Sequence, residues 1–398
     1  MKVNNEIVFL SGVRTGFGSF GGALKNHSAT DLGVAASKEA IDRAGIEGGD
    51  LDHVMFGNAL QTSGDAIYLA RHVGLRAGTP NTVPAMTINR LCGSGFQSII
   101  SGAEQILLGE ADFVLAGGTE SMSQAPFVDR DARWGVRFGK DHKLADYLWE
   151  SLYDPFAESS MGQTAERVGA QYGVTREEVD DYAYRSQQAY IDAWNSGKFE
   201  DEIVPVMVKK RREMVPFAKD EHPRFDVDRA KMGKLASVFQ KNGLVSAGNA
   251  SGICDGAAAV VVASGKTAAD RGLKPIARLI GWGVTGCDPK IMGIGPASAA
   301  RKALSDTGLS FADMDLVEVN EAFGAQYLAV EKELGLDREK TNVNGGAISV
   351  GHPLACSGTR ITLHLIHELR RRGARYGLGS ACIGGGQGIA VIVEAINE

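Results

Sequence analysis

The sequence predicts an α/β fold built from a duplicated unit, and three observations carry that prediction. Apolar strand-like runs alternate with amphipathic helical patterns. One stretch of the chain matches another at a fixed shift of 263 residues. A long segment without a counterpart interrupts the first copy, and an excursion of that length is more often a functional subdomain than a bare loop.

The shift places Ser94 and Gly95 on Ser357 and Gly358. It also places Asp50-Leu51-Asp52-His53-Val54 on Asp313-Met314-Asp315-Leu316-Val317, Asn58-Ala59-Leu60 on Glu321-Ala322-Phe323, and Ala40 and Gly45 on Ala303 and Gly308. The register holds without a gap from about residue 38 to residue 119. In the first copy, 32–44 reads as helix, 54–57 as strand and 96–108 as helix. Phe96, Ile99, Ile100, Ala103, Ile106 and Leu107 fall on one face of the last of these. Residues 112–116 then read as a buried strand. The second copy repeats the pattern, with Ile361, Leu365, Ile366 and Leu369 on a helix followed by a strand through 377–381. Residues 255–264 resemble 386–395 at a shift of only 131, which locates the insertion at 121–252. Within it, Thr175 and Glu178 form a capping box ahead of an amphipathic helix. The expected organisation is a first half of 1–120 plus 253–270, an inserted unit of 121–252, and a second half of 271–398, around largely parallel strands.

Composition narrows the function classes. The 398 residues and 44% apolar content suffice for large cores, and the 51 glycines follow no period. A net charge of −6 gives no reason to expect nucleic acid. The run Lys209-Lys210-Arg211-Arg212 reads as a solvated face. Five cysteines at scattered spacings indicate neither a disulfide framework nor a metal site, and they suit a reducing compartment. No apolar stretch approaches the roughly 20 residues of a membrane span, and the apolar run near the N-terminus is too short for a signal-peptide core. The expected setting is cytoplasmic, without membrane insertion.

Three glycine-rich junctions carry reactive side chains: Cys92-Gly93-Ser94-Gly95 before a helix, Gly351-His352-Pro353, and Cys382-Ile383-Gly384-Gly385-Gly386 after a strand. Cys92 is the better nucleophile candidate, since the start of a helix favours a thiolate and lowers its pKa from about 8.5. His352 is a candidate to take its proton. Cys382 is a candidate second acid or base, with the Gly384 N–H free for an oxyanion. Asn320, at the end of a strand-like run, points an amide to the same seam if the copies pack about a pseudo-twofold axis. Singly, each has an ordinary structural reading: a small thiol filling a turn, a histidine satisfied by loop backbone, a strand-end cysteine, a helix N-cap. Together on one duplicated framework they favour thiol chemistry with its own acid and base.

These residues resemble the thiolase family: Cys92 in C-G-S-G, Asn320 in N-E-A-F, His352 in G-H-P and Cys382 in C-I-G-G-G, with Gly117-Gly118-Thr119-Glu120-Ser121-Met122-Ser123 and Gly248-Asn249-Ala250-Ser251-Gly252. The resemblance covers nearly the whole chain. It implies two βαβαβαββ halves in a layered αβαβα core, with an inserted loop domain that holds coenzyme A. It further implies a ping-pong acyl transfer. His352 would activate Cys92, which takes the acyl group of a CoA thioester. Cys382 would remove a proton from the methyl carbon of acetyl-CoA in condensation, or protonate that carbon in thiolysis of a 3-ketoacyl-CoA. One oxyanion hole would comprise His352 and a water held by Asn320, the other the N–H groups of Cys92 and Gly384. Ser251, Met161, Phe239, Ala322 and Phe323 would contact the substrate or CoA, and Arg224 the nucleotide end. The resemblance implies no permanently bound cofactor, CoA as substrate and product, a role in fatty acid metabolism, and a homotetramer or homodimer, with 123–143 in the segment that ties tetramers.

Three positions depart from the family pattern. Ser160 precedes Met161-Gly162 where acetoacetyl-CoA-preferring members carry histidine, which opens room for a longer acyl chain. Ala355 adds a methyl after His352-Pro353-Leu354, which narrows the site, and Cys356 reads as inert packing. Ketosynthase-type and 3-hydroxy-3-methylglutaryl-CoA synthase-type enzymes share the fold and nucleophile but lack a cysteine equivalent to Cys382. A non-catalytic CoA- or lipid-binding relative fits poorly with four intact motifs.

Overall fold

The computed structural model describes residues 6–397; Met1–Asn5 and Glu398, the outer ends of the two expected halves, lie outside the described residues. The first half begins β1 (Ile7–Thr15), α1 (Ala29–Arg43), β2 (His53–Gly57), α2 (Leu69–Ala77), β3 (Ala85–Ile88), α3 (Ser94–Leu108) and β4 (Phe113–Ser121). The inserted segment follows, with α4 (Met161–Gln171) and α5 (Arg176–Asn195), and the chain returns as β5 (Cys254–Ser264). The second half comprises β6 (Ala277–Gly286), α6 (Gly295–Thr307), β7 (Leu316–Val319), α7 (Gly324–Leu334), α8 (Ser357–Arg372), β8 (Tyr376–Ile383) and β9 (Gln387–Ala395).

Local sequence explains the punctuation. Ser28 caps α1 by accepting from Asp31 N–H, while Asp31 accepts from Ser28 N–H. Thr175 and Glu178 do the same for α5, as the sequence predicted. The turns after α1 and α6 both require a left-handed residue, and the matched glycines supply it: Gly45 at φ +69° and Gly308 at φ +73°.

One sheet runs β3-β2-β4-β5-β1-β6-β9-β8-β7. Strand β2 is parallel to β3 and β4, and β7 is parallel to β8, but every neighbouring pair from β4 to β8 is antiparallel. The expectation of largely parallel strands thus holds only at the flanks. The reason is that each half ends in two successive antiparallel strands, β4-β5 and β8-β9, and turns its first strand against the second of them. Among the described residues, the halves join edge to edge through two residue pairs, Val8 with Arg278 and Phe9 with Ala277.

The second half lacks a full counterpart of β3. A single bridge, Val317 with Thr341, stands in its place. Asn342 turns left-handed at φ +49°, and its side-chain amide takes over the ladder, accepting from Val319 N–H at 2.9 Å and donating to Val319 C=O at 2.9 Å.

Alternation along the strands sorts the core into layers. Val260 and Val262 of β5 join a central cluster with Phe96 and Ile99 of α3 and Ile361 and Leu365 of α8. Ala259 and Val261 face the other way, toward Leu32 of α1 and Val73 of α2. In the second half, Val391 and Val393 of β9 face the central helices, while Ala390 and Ile392 face Ala300 of α6 and Leu328 of α7. This is the expected αβαβα layering. Helices α3 and α8 approach closely at Gly95 and Gly358, the pair that set the duplication register. A Cβ on Gly358 would lie 2.3 Å from Phe96 N, and one on Gly95 would lie 2.6 Å from Thr359 N.

The inserted segment is fastened to both halves. Arg14 of β1 is fully buried between Glu202 at 2.8 Å and Asp220 at 2.7 Å. Tyr182 of α5 stacks on Tyr327 of α7 with ring centroids 3.9 Å apart and donates to Glu321 at 2.5 Å.

Candidate active site

The three glycine-rich junctions meet at one cavity of about 380 Å³, lined by Cys92, His352 and Cys382. Each half contributes, as the pseudo-twofold argument required. Its lining is overwhelmingly apolar, and it also includes Met161, Phe239, Ser251, Ala322 and Phe323.

Cys92 sits on the single turn Leu91–Gly93 that leads into α3. Leu91 adopts φ +47°, an uncommon conformation for a branched residue. Neighbouring polar groups hold it there: Asn89 Oδ1 accepts from Leu91 N–H at 2.9 Å, and Ser94 Oγ donates to Leu91 C=O at 2.7 Å. Across the seam, a Cβ on Gly93 would lie 2.5 Å from Ile383, so the turn rests on the end of β8.

His352 is buried, and its N–H donates to Gly252 C=O at 2.9 Å. Ser357 donates its hydroxyl hydrogen to Pro353 C=O at 3.2 Å, which leaves its oxygen to accept from His352 Nδ1, 2.6 Å away. The network therefore assigns the ring hydrogen to Nδ1. Nε2 then presents a lone pair, with Asn320 Nδ2 donating to it at 3.3 Å. Burial, reinforced by the nearby Arg360 charge, depresses the His352 pKa to about 3. The ring is thus a neutral base at physiological pH. Asn320 Oδ1 is buried with no partner among the described residues.

The thiols depart from expectation. The helix start was expected to lower the Cys92 pKa, yet it is raised to about 11. Burial outweighs the hydrogen bonds from the Gly384 and Cys92 N–H groups, and the Glu120 charge adds to it. Cys382, buried at the end of β8 beside Ala322 and Met292, is pushed well above its usual value by burial and then by Cys92. In the free protein both sulfurs are thiols. Such a site can acylate only by transferring the Cys92 proton during attack, not by holding a standing thiolate.

The remaining wall is built by backbone stapling. Ser251 N–H donates to Ala322 C=O at 3.1 Å, Gly324 N–H to Asn249 C=O at 2.9 Å, and Phe239 meets Phe323 edge-on with centroids 6.2 Å apart. Asn320 N–H donates to Ser380 C=O at 2.9 Å, which sets the N-E-A-F turn beside the Cys382 strand.

Not every expected residue converges. Arg224 is exposed and outside the cavity lining, and its guanidinium donates to Ala247 C=O at 3.1 Å. Ser160 does not face the cavity to enlarge it; it is buried as the N-cap of α4 and accepts from Gln163 N–H. Ala355 does not narrow the cavity, because its methyl packs with Leu60, Met122 and Leu148. Cys356 is buried in the central cluster. Conversely, Leu148, Trp149 and Leu152 line the cavity and carried no sequence signal. Ser357 had one: the 263-residue shift sets it on Ser94, and both hydroxyls fasten the turn ahead of their helix. Among the described residues, no His, Cys, Asp or Glu cluster could hold a metal, and no helix is long and apolar enough to cross a membrane.

Comparison with known proteins agrees with this geometry. The family model described as "Thiolase, N-terminal domain" matches residues 7–266, and "Thiolase, C-terminal domain" matches 273–395. The chain is 54% identical to a mitochondrial 3-ketoacyl-CoA thiolase of Homo sapiens, covering 99% of this chain and 100% of that one. It is 49% identical to a beta-ketothiolase of Cupriavidus necator, covering 99% and 100%. The crystal structure of the human mitochondrial 3-ketoacyl-CoA thiolase in complex with CoA superposes with a TM-score of 0.96 at 52% identity, covering 99% of each chain. One expectation is overturned. A cytoplasmic setting was expected, but the relatives from Homo sapiens, Pongo abelii and Bos taurus, at 54%, 54% and 53% identity, are mitochondrial proteins. Free cysteines speak for a reducing interior without distinguishing one such compartment from another.

Proposed function

The chain belongs to the thiolase family and has its fold, and from that premise we propose that Cys92, His352, Cys382, Asn320 and Gly384 carry out its CoA-dependent acyl transfer. The protein is an acyltransferase of the thiolase type that interconverts acetyl-CoA and 3-ketoacyl-CoA, with CoA as substrate and product and no permanent cofactor. The observation that carries the residue assignment is the meeting of two protonated thiols and a neutral imidazole at one apolar cavity.

In thiolysis, Cys92 Sγ attacks the 3-keto carbon while its proton passes to His352 Nε2. The bond between the α and β carbons breaks, leaving the acyl group on Cys92 and an acetyl-CoA enolate. Cys382 gives its proton to the enolate carbon. An incoming CoA thiol gives its proton to Cys382 and attacks the acyl-Cys92 thioester, and the departing Cys92 sulfur regains its proton from His352. Every proton is returned. Condensation is the reverse. The Cys92 and Gly384 N–H groups suit one developing oxyanion, and the Asn320 amide beside His352 suits the other. Residues 121–252 act as the loop domain that holds CoA, with Met161, Phe239, Ser251, Ala322 and Phe323 against the substrate and Arg224 at the outer, nucleotide end.

A thiolysis series from acetoacetyl-CoA to long 3-ketoacyl-CoA tests this reading. CoA-dependent loss of substrate with ping-pong kinetics is expected. Sequential kinetics, with no acyl-enzyme at any chain length, would refute the covalent mechanism.

The proposed assembly is a homotetramer tied by 123–143. That segment exposes Trp134 at 85% and leaves Phe138 fully exposed, a cost that a partner surface removes. Light scattering of Trp134→Ser/Phe138→Ser is expected to give a dimer where the parent gives a tetramer. A tetramer in both would remove the segment from that role.

A further inference from the structure

Glu120, at the end of β4, is a fully buried carboxylate that accepts four hydrogen bonds. Its Oε1 takes Asn58 Nδ2–H at 2.9 Å and Leu60 N–H at 2.9 Å. Its Oε2 takes Ala59 N–H at 3.2 Å and Ala355 N–H at 3.0 Å. All four donors are neutral N–H groups, and burial outweighs them, pushing the Glu120 carboxyl up to about 7. Burial of such an acid is costly, which makes a purely space-filling role a poor explanation.

The donors belong to two different loops. Asn58, Ala59 and Leu60 form the loop after β2 of the first half. Ala355 lies three residues beyond His352, in the second half. Glu120 therefore bridges the seam between the halves under the junction that carries the base. A matching carboxylate holds the other side. Glu321, fully buried beside Asn320, accepts from Ile348 N–H at 3.1 Å, Asn342 Nδ2–H at 3.0 Å, Ser186 Oγ–H at 2.8 Å and Tyr182 O–H at 2.5 Å. The His352 turn is thus gripped four residues before the histidine by Glu321 and three residues after it by Glu120.

We propose that Glu120 is a positioning residue of the reaction: it fixes the turn after His352 against the first half, and with that turn the orientation of the base. The inference rests on the acyl-enzyme reading above.

The test compares Glu120→Gln and Glu120→Asp with the parent enzyme, reading kcat and the KM for CoA. Glutamine leaves N–H facing N–H and aspartate shortens the reach, so each is expected to reduce kcat roughly 10- to 100-fold with the KM for CoA little changed. Full kcat in a folded Glu120→Asp protein overturns the positioning role, as does a loss confined to KM. If the glutamine variant does not fold, the aspartate kcat still decides. Absence of thiolysis in the parent enzyme would instead count against the acyl-transfer reading itself.

Discussion

Replacing Cys92 by alanine is expected to abolish acylation by acetyl-CoA and to lower thiolysis by on the order of 10,000-fold or more. The covalent intermediate divides the reaction into two steps, and no other group at the cavity combines a nucleophilic atom with a neutral base prepared to take its proton. His352 serves Cys92 in this scheme because its Nδ1 hydrogen is committed to Ser357, leaving Nε2 as the acceptor. Truncation at residue 92 removes one sulfur from a half-buried side chain, at a cost on the order of 1 kcal/mol. The variant should therefore fold, and its silence can be read as chemistry. Intact mass after incubation with acetyl-CoA is the measurement. A stoichiometric acetyl adduct on the alanine variant would place the nucleophile elsewhere, with Cys382 as the first residue to examine.

How far such a site could be read from sequence depended on which side chains had local grammar. Cys92, His352 and Cys382 stand in glycine-rich junctions, and the duplication supplied the geometry that one-dimensional spacing lacks. Gly95 and Gly358 were visible as a register match and proved to be the crossing point of the central helices. Trp149 and Leu148 had no such grammar. They reach the cavity from the inserted segment, whose placement is set by contacts distant in sequence, such as Arg14 with Glu202 and Asp220. The third strand of the second half was lost for a comparable reason. Asn342 replaces a ladder with a side chain, and no hydropathy pattern records that.

The direction of the Cys92 pKa was the instructive error. The start of a helix was read as the dominant influence, but a partial charge near one helix end is worth less than desolvating a thiolate. Burial is a property of the assembled halves, not of the junction. Glu120 shows the same limit. It sits in a recognisable motif, yet its role depends on Ala355 N–H, 235 residues away in the chain.

Cys382→Ser is expected to leave acylation of Cys92 within a few-fold of the parent, while condensation of two acetyl-CoA falls by about 100- to 10,000-fold. The substitution keeps a small polar group beside Ala322 and Met292 but replaces a thiol with a hydroxyl, a far weaker acid whose conjugate base is inaccessible in this buried setting. The order of proton transfers strengthens the case. Burial holds the Cys382 pKa high, so the thiol is protonated at rest. In condensation it gives that proton to the CoA thiolate released on acylation, and is thereby the base present when the acetyl methyl proton has to be removed. Rapid-quench acylation at Cys92, measured alongside steady-state condensation, separates the two steps. Near-normal condensation in the serine variant would reject Cys382 as the second base and leave the site equivalent to condensing enzymes that manage without that thiol.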